Sequence, residues 1–428
     1  MHFTVAMKKK ICLVLMLVVI AVHGLHAQEN FKLMFYNLLN FPLEDAVPNR
    51  LQNLELILTD YRPDLFMVCE LNNESGANDI LSTLQFLNSN YQSAVFELNT
   101  SDDNISDQND LQNLIYYDSS KFTLESQSIV TTIFRDFNHY RMKINSVEAV
   151  TNPVYIDIIV CHLKASSGTE NQALRFQMVE DLVAYLDTFP SDSNVVLAGD
   201  LNVYTNSEPA FEELLDLDNT NTIDFIDPAN QVGSWHNNPN YIDVMTQSTR
   251  TQTGFGGSTG GFDDRFDFIL TSENMQTNPE IKFIENSYKV YGNNANVQCY
   301  NQAINSSDCA GADYSAFIRD ALHDFSDHLP VTLELQTNQT LSLETFSRIK
   351  ALQFAGSNCI NHLLKLKLNP SSQLKTLIIN NSLGQVIKTI SVKNSLYIEE
   401  NVSSLANGIY YITTPELQIK PLKFIIAH

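Results

Sequence analysis

The chain has 428 residues, 44% hydrophobic and 18% charged, with 26 Lys+Arg against 49 Asp+Glu. That is too long for one average domain, sufficient for a sizeable core, and too apolar for wholesale disorder. A formal charge of −23 excludes a broad basic face of the kind that holds nucleic acid by counterion release.

The chain opens with Lys8-Lys9-Lys10, an apolar run from Ile11 to Val22, and then Gly24 and Ala27. A basic start, an apolar stretch and a small residue before a polar segment describe a secretory signal peptide over residues 1–27. The run is too short to cross about 30 Å of hydrocarbon, so export is expected and stable membrane insertion is not. Residues 28–337 then carry 14 Lys+Arg against 45 Asp+Glu, a balance of −31. Residues 338–428 carry 9 against 4, a balance of +5.

From residue 31 to 337, short β-rich runs alternate with helical segments. Strands are expected from Phe31 to Leu39, Leu65 to Cys69, Ile115 to Tyr117, Tyr155 to His162, Val195 to Gly199, Phe266 to Leu270 and Val331 to Leu335. Helices are expected from Asn49 to Asp60 and from Asn171 to Phe189. In the second, Leu174, Met178, Leu182 and Leu186 recur every four residues and mark a buried face. The mixture implies an α/β body. The polar stretch from Asn99 to Asp110 reads first as a solvated loop, with a carboxylate calcium site as the alternative. The glycine-rich stretch from Gly254 to Asp264 reads as a flexible loop; no Lys-Ser/Thr and no helix follow it, which rejects a P-loop. Cys69 and Cys161 lie in apolar runs and read as buried small hydrophobes. Cys299 and Cys309 bracket a polar loop, as a local disulfide or as free thiols.

Near Asn338 the acidic residues thin out. Short β-rich runs follow, from Leu363 to Leu368, Leu374 to Ile379, Val386 to Ile390, Leu396 to Ile398, Ile409 to Ile412 and Leu422 to Ile426. Turn pairs such as Asn369-Pro370, Leu383-Gly384 and Asn407-Gly408 separate them. A small all-β sandwich over residues 358–428 is expected, joined by a linker over 338–357.

Hydrolysing a phosphate ester needs a metal to screen the phosphoryl oxygens, an activated water, support for the leaving oxygen, and positioning contacts. Groups of these kinds stand at five strand ends. Asn37 follows Phe31 to Tyr36, Glu70 follows Leu65 to Cys69, and His162 follows Ile156 to Cys161. Asp200 and Asn202 follow Val195 to Gly199, and Ser326-Asp327-His328 leads into Leu329 to Leu333. Each alone is an ordinary turn residue or cap; their order and company give them weight. Asp267, inside Arg265-Phe266-Asp267-Phe268-Ile269-Leu270, would be an acid buried in a strand. That is costly without a partner, and an imidazole is the natural one.

Glu70, Gly199-Asp200-Leu201-Asn202 and Ser326-Asp327-His328, in that order, resemble the endonuclease/exonuclease/phosphatase superfamily over roughly residues 31–337. The resemblance implies a four-layer α/β/β/α sandwich and a phosphoric ester hydrolase that uses a divalent cation, Mg²⁺ with Mn²⁺ or Ca²⁺ as alternatives. It implies Glu70 as the main metal ligand, with Asn37 and Asp327 close to the metal. His328 would be the general base, oriented by Asp267. Asp200 and Asn202 would hold the phosphate or nucleophile, and His162 would contact phosphate oxygens and help protonate the leaving oxygen. Arg141 stands near the place where relatives carry a phosphate-contacting arginine, or else is a solvated strand charge. Arg250 and Arg265 are further substrate-binding candidates, with Arg265 ahead because its neighbours are catalytic.

The segment from Leu405 to Ile412 and the closing Lys423-Phe424-Ile425-Ile426 resemble the C-terminal sorting domain of the Bacteroidetes type IX secretion system. This implies the secretion machinery as a partner and a secreted or cell-surface location; a substrate-binding β-module is the rival reading. A monomeric extracellular nuclease acting transiently on DNA or RNA is therefore expected. One alternative is a phospholipid head-group or small phosphate-ester hydrolase. A sphingomyelinase-like version of it needs an exposed aromatic hairpin, for which Asn286 to Tyr300 is the nearest candidate. The other alternative is a non-catalytic binding or adhesion protein, against which the five intact sites stand.

Overall fold

A computed structural model describes residues 28–101, 111–216, 220–342, 352–368, 374–392, 397–415 and 421–428. The expected signal peptide, the acidic stretch 102–110 and the middle of the expected linker lie outside the described residues. The chain divides into two compact units. Of the described residues, those within 28–76, 94–115 and 121–342 belong to the first, and those within 77–93, 116–120 and 352–428 to the second.

The chain begins with β1 (Glu29–Phe41), α1 (Arg50–Tyr61), β2 (Leu65–Leu71), α2 (Glu74–Leu87), β3 (Tyr91–Ser93) and β4 (Gln112–Asp118). There follow β5 (Phe122–Val130), β6 (Phe137–Ile144), β7 (Tyr155–His162), α3 (Thr169–Leu186), β8 (Val195–Asp200) and α4 (Pro209–Leu214). The rest up to Thr337 is β9 (Phe225–Ile226), β10 (Asp267–Ser272), β11 (Lys282–Phe283), β12 (Lys289–Val290), α5 (Ala316–Phe325) and β13 (Val331–Thr337). One sheet has the order β11-β13-β1-β2-β4-β3, with β12 also on β13, and the other has the order β5-β6-β7-β8-β10-β9. β1 and β2 lie against β7 and β8. These strands are buried on both faces, as sheets covered on both sides must be. α1 packs on α5 and α3 on α4 as the outer helices. The α/β sandwich expected from the sequence is the fold found.

Strand direction decides where the chemistry falls. β1 and β2 are parallel, as are β7 and β8, whereas β13 runs antiparallel to β1 and β10 antiparallel to β8. The C-terminal ends of the first four strands therefore share one edge with the starts of β10 and β13. In register, His162 pairs with Asp200, and Asp200 with Asp267.

Some elements were not foreseen. β5 alternates Thr123, Glu125 and Gln127 with little apolar signal, and β6 carries His139, Arg141 and Lys143 among its apolar residues. α2 and α5 were also missed. In α3 the buried face is Arg175, Met178, Val179, Leu182 and Leu186, with Leu174 only half-buried. Arg175 is fully buried because Glu208 accepts from its Nε and Nη2 at 3.0 and 2.6 Å, and the carbonyls of Lys164 and Ser166 accept from Nη1.

Cys299 and Cys309 form a disulfide, and Cys69 and Cys161 are buried free thiols. Replacing both bridged cysteines by serine is expected to cost about 2–3 kcal/mol, because the open loop regains entropy in the unfolded chain. A urea midpoint equal to the parent's would contradict this.

In the C-terminal part, β14 (Leu352–Phe354), β15 (Cys359–Ile360), β16 (Leu363–Leu368) and β17 (Thr376–Asn381) lead to β18 (Val386–Ser391), β19 (Tyr397–Asn401), β20 (Gly408–Thr413) and β21 (Leu422–Ile426). They form sheets of order β14-β16-β19 and β15-β21-β20-β17-β18. Leu364, Leu366, Leu377, Ile379, Ile412 and Phe424 fill the core. β14 falls inside the stretch read as linker, because Leu352 pairs with Leu368 in the first sheet.

Candidate active site

The strand-end residues converge. Asn37 is fully buried in β1 at the point where the register with β2 shifts, and its Nδ2 donates to Glu70 Oε1 and to Asp200 Oδ2, both at 3.0 Å. Asn37 Oδ1 accepts from the Leu39 amide, and Glu70 Oε2 accepts from the Asn40 amide at 2.9 Å. Leu39, Asn40, Glu70 and Asn202 all have φ between 47° and 57°, a left-handed backbone that costs non-glycine residues energy and clusters at functional positions. Gly199 is required next to Asp200: a Cβ there would sit 2.3 Å from Cys161 Sγ and 2.7 Å from its carbonyl oxygen.

Across from this group, His328 Nδ1 lies 2.7 Å from Asp267 Oδ2, the partner expected for the buried strand acid. His328 Nε2 is 3.8 Å from Asp200 Oδ2 and 2.6 Å from Gln247 Nε2. The Gln247 amide donates there only if Nε2 is unprotonated, which matches a proton on Nδ1 shared with Asp267. The glycine-rich loop has a role that composition did not reveal. The Ser258 amide donates to Asp327 Oδ2 at 2.6 Å, and Gln247 Nε2 reaches the same oxygen at 3.2 Å. Gly257, at φ +65°, passes so near that a Cβ would meet Asp327 Cγ at 2.5 Å. Arg250 clamps the loop, donating to the carbonyls of His323, Phe255 and Gly256.

Residues 34–328 match the endonuclease/exonuclease/phosphatase family. The chain belongs to that family. Its solved neighbours include the human nocturnin catalytic domain with bound sulfate (13% identity, TM-score 0.42, 72% of this chain and 94% of that one). TDP2 of D. rerio complexed with single-strand DNA product is similar at 15% identity and TM-score 0.44, over 72% and 100% of the two chains. A family protein from Bacteroides vulgatus follows at 13% identity and TM-score 0.45, over 72% and 99%. No curated protein matches the sequence. Residues 358–427 match the secretion system C-terminal sorting domain, so the protein is exported by type IX secretion to the cell surface or beyond. Among the described residues no helix is long and apolar enough to cross a membrane.

Members of the endonuclease/exonuclease/phosphatase family are generally phosphoesterases that use divalent metals, and the side chains here fit such an ion. Burial, then the charge of Asp327, raises the Glu70 carboxyl above its usual range. Burial, with help from Asp267 and Glu70, pushes Asp200 up to about 7. Carboxylates that repel one another beside an unpartnered Asp327 Oδ1 are hard oxygen donors whose crowding a cation relieves. The two histidines are driven apart. Burial opposes charge on both, but Asp267, Asp327 and Asp200 outweigh it at His328 and raise it well above the ordinary value. At His162, burial followed by Arg135, His328 and Lys164 holds the ring neutral. Such divergence separates acid, base and ligand roles.

The structure does not bring Arg141 or Arg265 into the cluster. Arg141 pairs with Asp157 at 3.1 Å, on β6 and five residues before His162 along β7. Arg265 is fully buried, with Nη1 and Nη2 on the Asp227 carboxylate at 2.8 Å each and its guanidinium over Phe268. Sequence reasoning missed Arg135, Lys164 and Gln247. Because β6 runs antiparallel to β7, the residues before β6 lie beside those after β7, and Arg135 Nη1 donates to the Leu163 carbonyl at 3.1 Å. The charges of Arg135 and Lys164 both act on His162. That pairing was the signal for Arg135; Gln247 lies in an irregular segment and had none.

Proposed function

We propose that the protein is an exported phosphodiesterase, dependent on Mg²⁺ or a similar cation, that acts on nucleic acid as a monomer. The observation that carries the reading is His328, locked at Nδ1 by Asp267 and turned at Nε2 toward Asp200, opposite the Glu70–Asn37 pair. With a water in place of the Gln247 amide at Nε2, His328 takes a proton from that attacking water, and the buried Asp267 carboxylate stabilises the resulting imidazolium. A divalent cation held by Glu70, with Asn37 and Asp327 close to it, would screen the phosphoryl oxygens and lower the charge that the carboxylates impose on one another. Asn202, whose amide donates to Asp200 Oδ1 at 3.1 Å, fixes that carboxylate against the substrate. His162, held neutral, contacts phosphoryl oxygen rather than supplying a proton. Asp200, whose two oxygens accept from Asn37 Nδ2 and from the Asn202 backbone amide, faces the phosphoryl group as a carboxylate beside it.

Arg135 and Lys164 support nucleic acid as substrate: they place positive charge beside His162 in a protein that is otherwise acidic. A second reading, a small phosphate ester, is favoured by Asp263 and Asp264. Asp264 bridges backbone to Gln247 and accepts from His236 at 2.6 Å, a rim that repels a polyanion. The sphingomyelinase-like version loses its hairpin, since Tyr288 and Tyr291 are buried. Nicking of supercoiled plasmid in Mg²⁺ tests the reading. The parent should nick, Arg135→Ala should lose about 10–100-fold in kcat/KM through one charge-assisted contact, and Arg141→Ala should match the parent. No nicking by the parent, with turnover of small phosphate esters instead, would establish the second reading.

A further inference from the structure

Three arginines are fully buried, and two of them are paired with a carboxylate: Arg175 with Glu208 at 2.6 Å and Arg265 with Asp227 at 2.8 Å. The third, Arg250, has no carboxylate within ion-pair reach among the described residues. Its Nε donates to the His323 carbonyl at 2.8 Å, and its Nη1 to the carbonyls of Phe255 and Gly256 at 2.8 and 3.0 Å. Nη2 has no partner. Burial works against the guanidinium charge, and the first charge that favours it is that of Asp327. A buried ion held by carbonyls alone is a costly way to fill a core, and an apolar side chain would fill it with less penalty. What Arg250 holds therefore matters more than how it packs.

It holds the segment 254–261, which is largely exposed. The Arg250 carbonyl accepts from the amides of Gly260 and Gly261 at 3.1 and 3.0 Å, while its side chain takes the carbonyls at the other leg. One residue thus ties both legs of a strap. Ser248 Oγ adds a third tie, accepting from the Arg250 amide at 3.1 Å and donating to the Ser258 carbonyl at 2.8 Å. All five glycines of the strap have φ between 65° and 137°. Glycine backbone loses the most freedom when it is fixed, so the strap keeps one shape only through such ties. At its crest the Ser258 amide meets Asp327 Oδ2 at 2.6 Å, a charge-assisted bond.

We infer that Arg250 is a positioning residue for the hydrolysis: by fixing both legs of the strap it keeps the Ser258 amide on Asp327 and so sets the rotation of that carboxyl. Asp327 Oδ1 is left without a protein partner, and its direction follows from where Oδ2 is pinned. The inference rests on the reading of Asp327 as an active-site carboxylate, and it adds a residue that touches no reacting atom. Misplacing an active-site group by about 1 Å can cost about 10²-fold in rate, so the strap has leverage on turnover.

Two variants reach the strap from opposite ends. Arg250→Met removes the clamp. Gly257→Ala keeps the clamp but pushes the crest away, because a Cβ would meet Asp327 Cγ at 2.5 Å. The first readout is hydrogen exchange at the Ser258 amide, followed by NMR in the metal-free protein. In both variants that amide should exchange about tenfold or more faster than in the parent, while the core amides of Leu33 and Leu197 keep their protection. The second readout is hydrolysis of bis(p-nitrophenyl) phosphate in Mg²⁺. There kcat and kcat/KM should fall together by about 10–100-fold, the pattern of a contact made in the transition state rather than in substrate binding. Parental exchange at Ser258 in Arg250→Met overturns the inference, and so does faster exchange with an unchanged kcat. Should Arg250→Met also lose protection at Leu33 and Leu197, Arg250→Lys, which keeps the charge but not the planar fork, is judged by the same criteria. A parent that hydrolyses no phosphodiester refutes the proposed function instead, and the exchange arm still decides whether Arg250 holds the strap.

Discussion

The His328→Ala variant is expected to hydrolyse phosphodiesters about 10²–10⁴-fold more slowly than the parent, the contribution of a positioned general base. Among the described residues of the cluster, His328 is the imidazole backed by a fully buried carboxylate, at 2.7 Å from Asp267. Removing it also strips Asp267 Oδ2 of its partner in a fully buried setting, so some stability is lost. Asp267→Asn is the cleaner companion. An amide can donate to Nδ1, which moves the ring proton to Nε2 and takes away the lone pair that accepts from water, so a loss of about 10⁴-fold is in range. The pH profile carries a sign. Asp267 helps hold the His328 pKa well above its ordinary value, so the base becomes neutral only as pH rises through that raised value. In Asp267→Asn burial prevails, and the ascending limb of residual kcat/KM moves to lower pH. Stability follows the same linkage. The raised pKa stabilises the fold below the unfolded histidine value and loses that contribution as pH climbs through the folded one, and the variant lacks it. A limb that stays in place would detach Asp267 from the base.

Glu70→Gln is expected to reduce activity at least as much, and with the opposite effect on stability. Glu70 accepts from Asn37 and Asn40 while burial and Asp327 raise its carboxyl. A raised carboxylate is a penalty at neutral pH that grows as pH rises through the folded value. The neutral amide relieves it, at the expense of one acceptor. Metal-free Glu70→Gln should therefore melt no lower than the parent while losing activity that added Mg²⁺ does not restore. A variant with parental activity, or a collapse in Tm, would show that Glu70 serves the fold instead.

Much of this site could be read from the chain because strand ends are local events. Runs such as Val195 to Gly199 announce a buried strand, and Asp200 must follow wherever that strand stops. The family's order of motifs then placed Asn37, Glu70, His162, Asp200, Asn202, Asp267, Asp327 and His328 together. What could not be read was direction. Arg265 stands two residues from Asp267 yet turns to Asp227, 38 positions away in sequence; nothing local encodes that. Arg141 looked exposed in a polar strand, but Asp157 captures it across β6 and β7. Arg135 was missed because β6 and its partner β5 carry weak apolar patterns, and without them the antiparallel pairing that brings Arg135 to Leu163 is invisible. The loop from Gly254 to Gly261 looked merely flexible, since composition does not show that Ser258 and Gly257 close on Asp327.

The most direct measurement is hydrolysis of bis(p-nitrophenyl) phosphate by the purified exported protein, with Mg²⁺ or Mn²⁺ and with EDTA, for the parent, His328→Ala and Glu70→Ala. Metal-dependent release of nitrophenol by the parent, abolished by EDTA and reduced by about 10²-fold or more in both variants, is the predicted result. Rates within about tenfold of the parent in both variants, or full activity in EDTA, would contradict a metal-assisted hydrolytic site at Glu70 and His328.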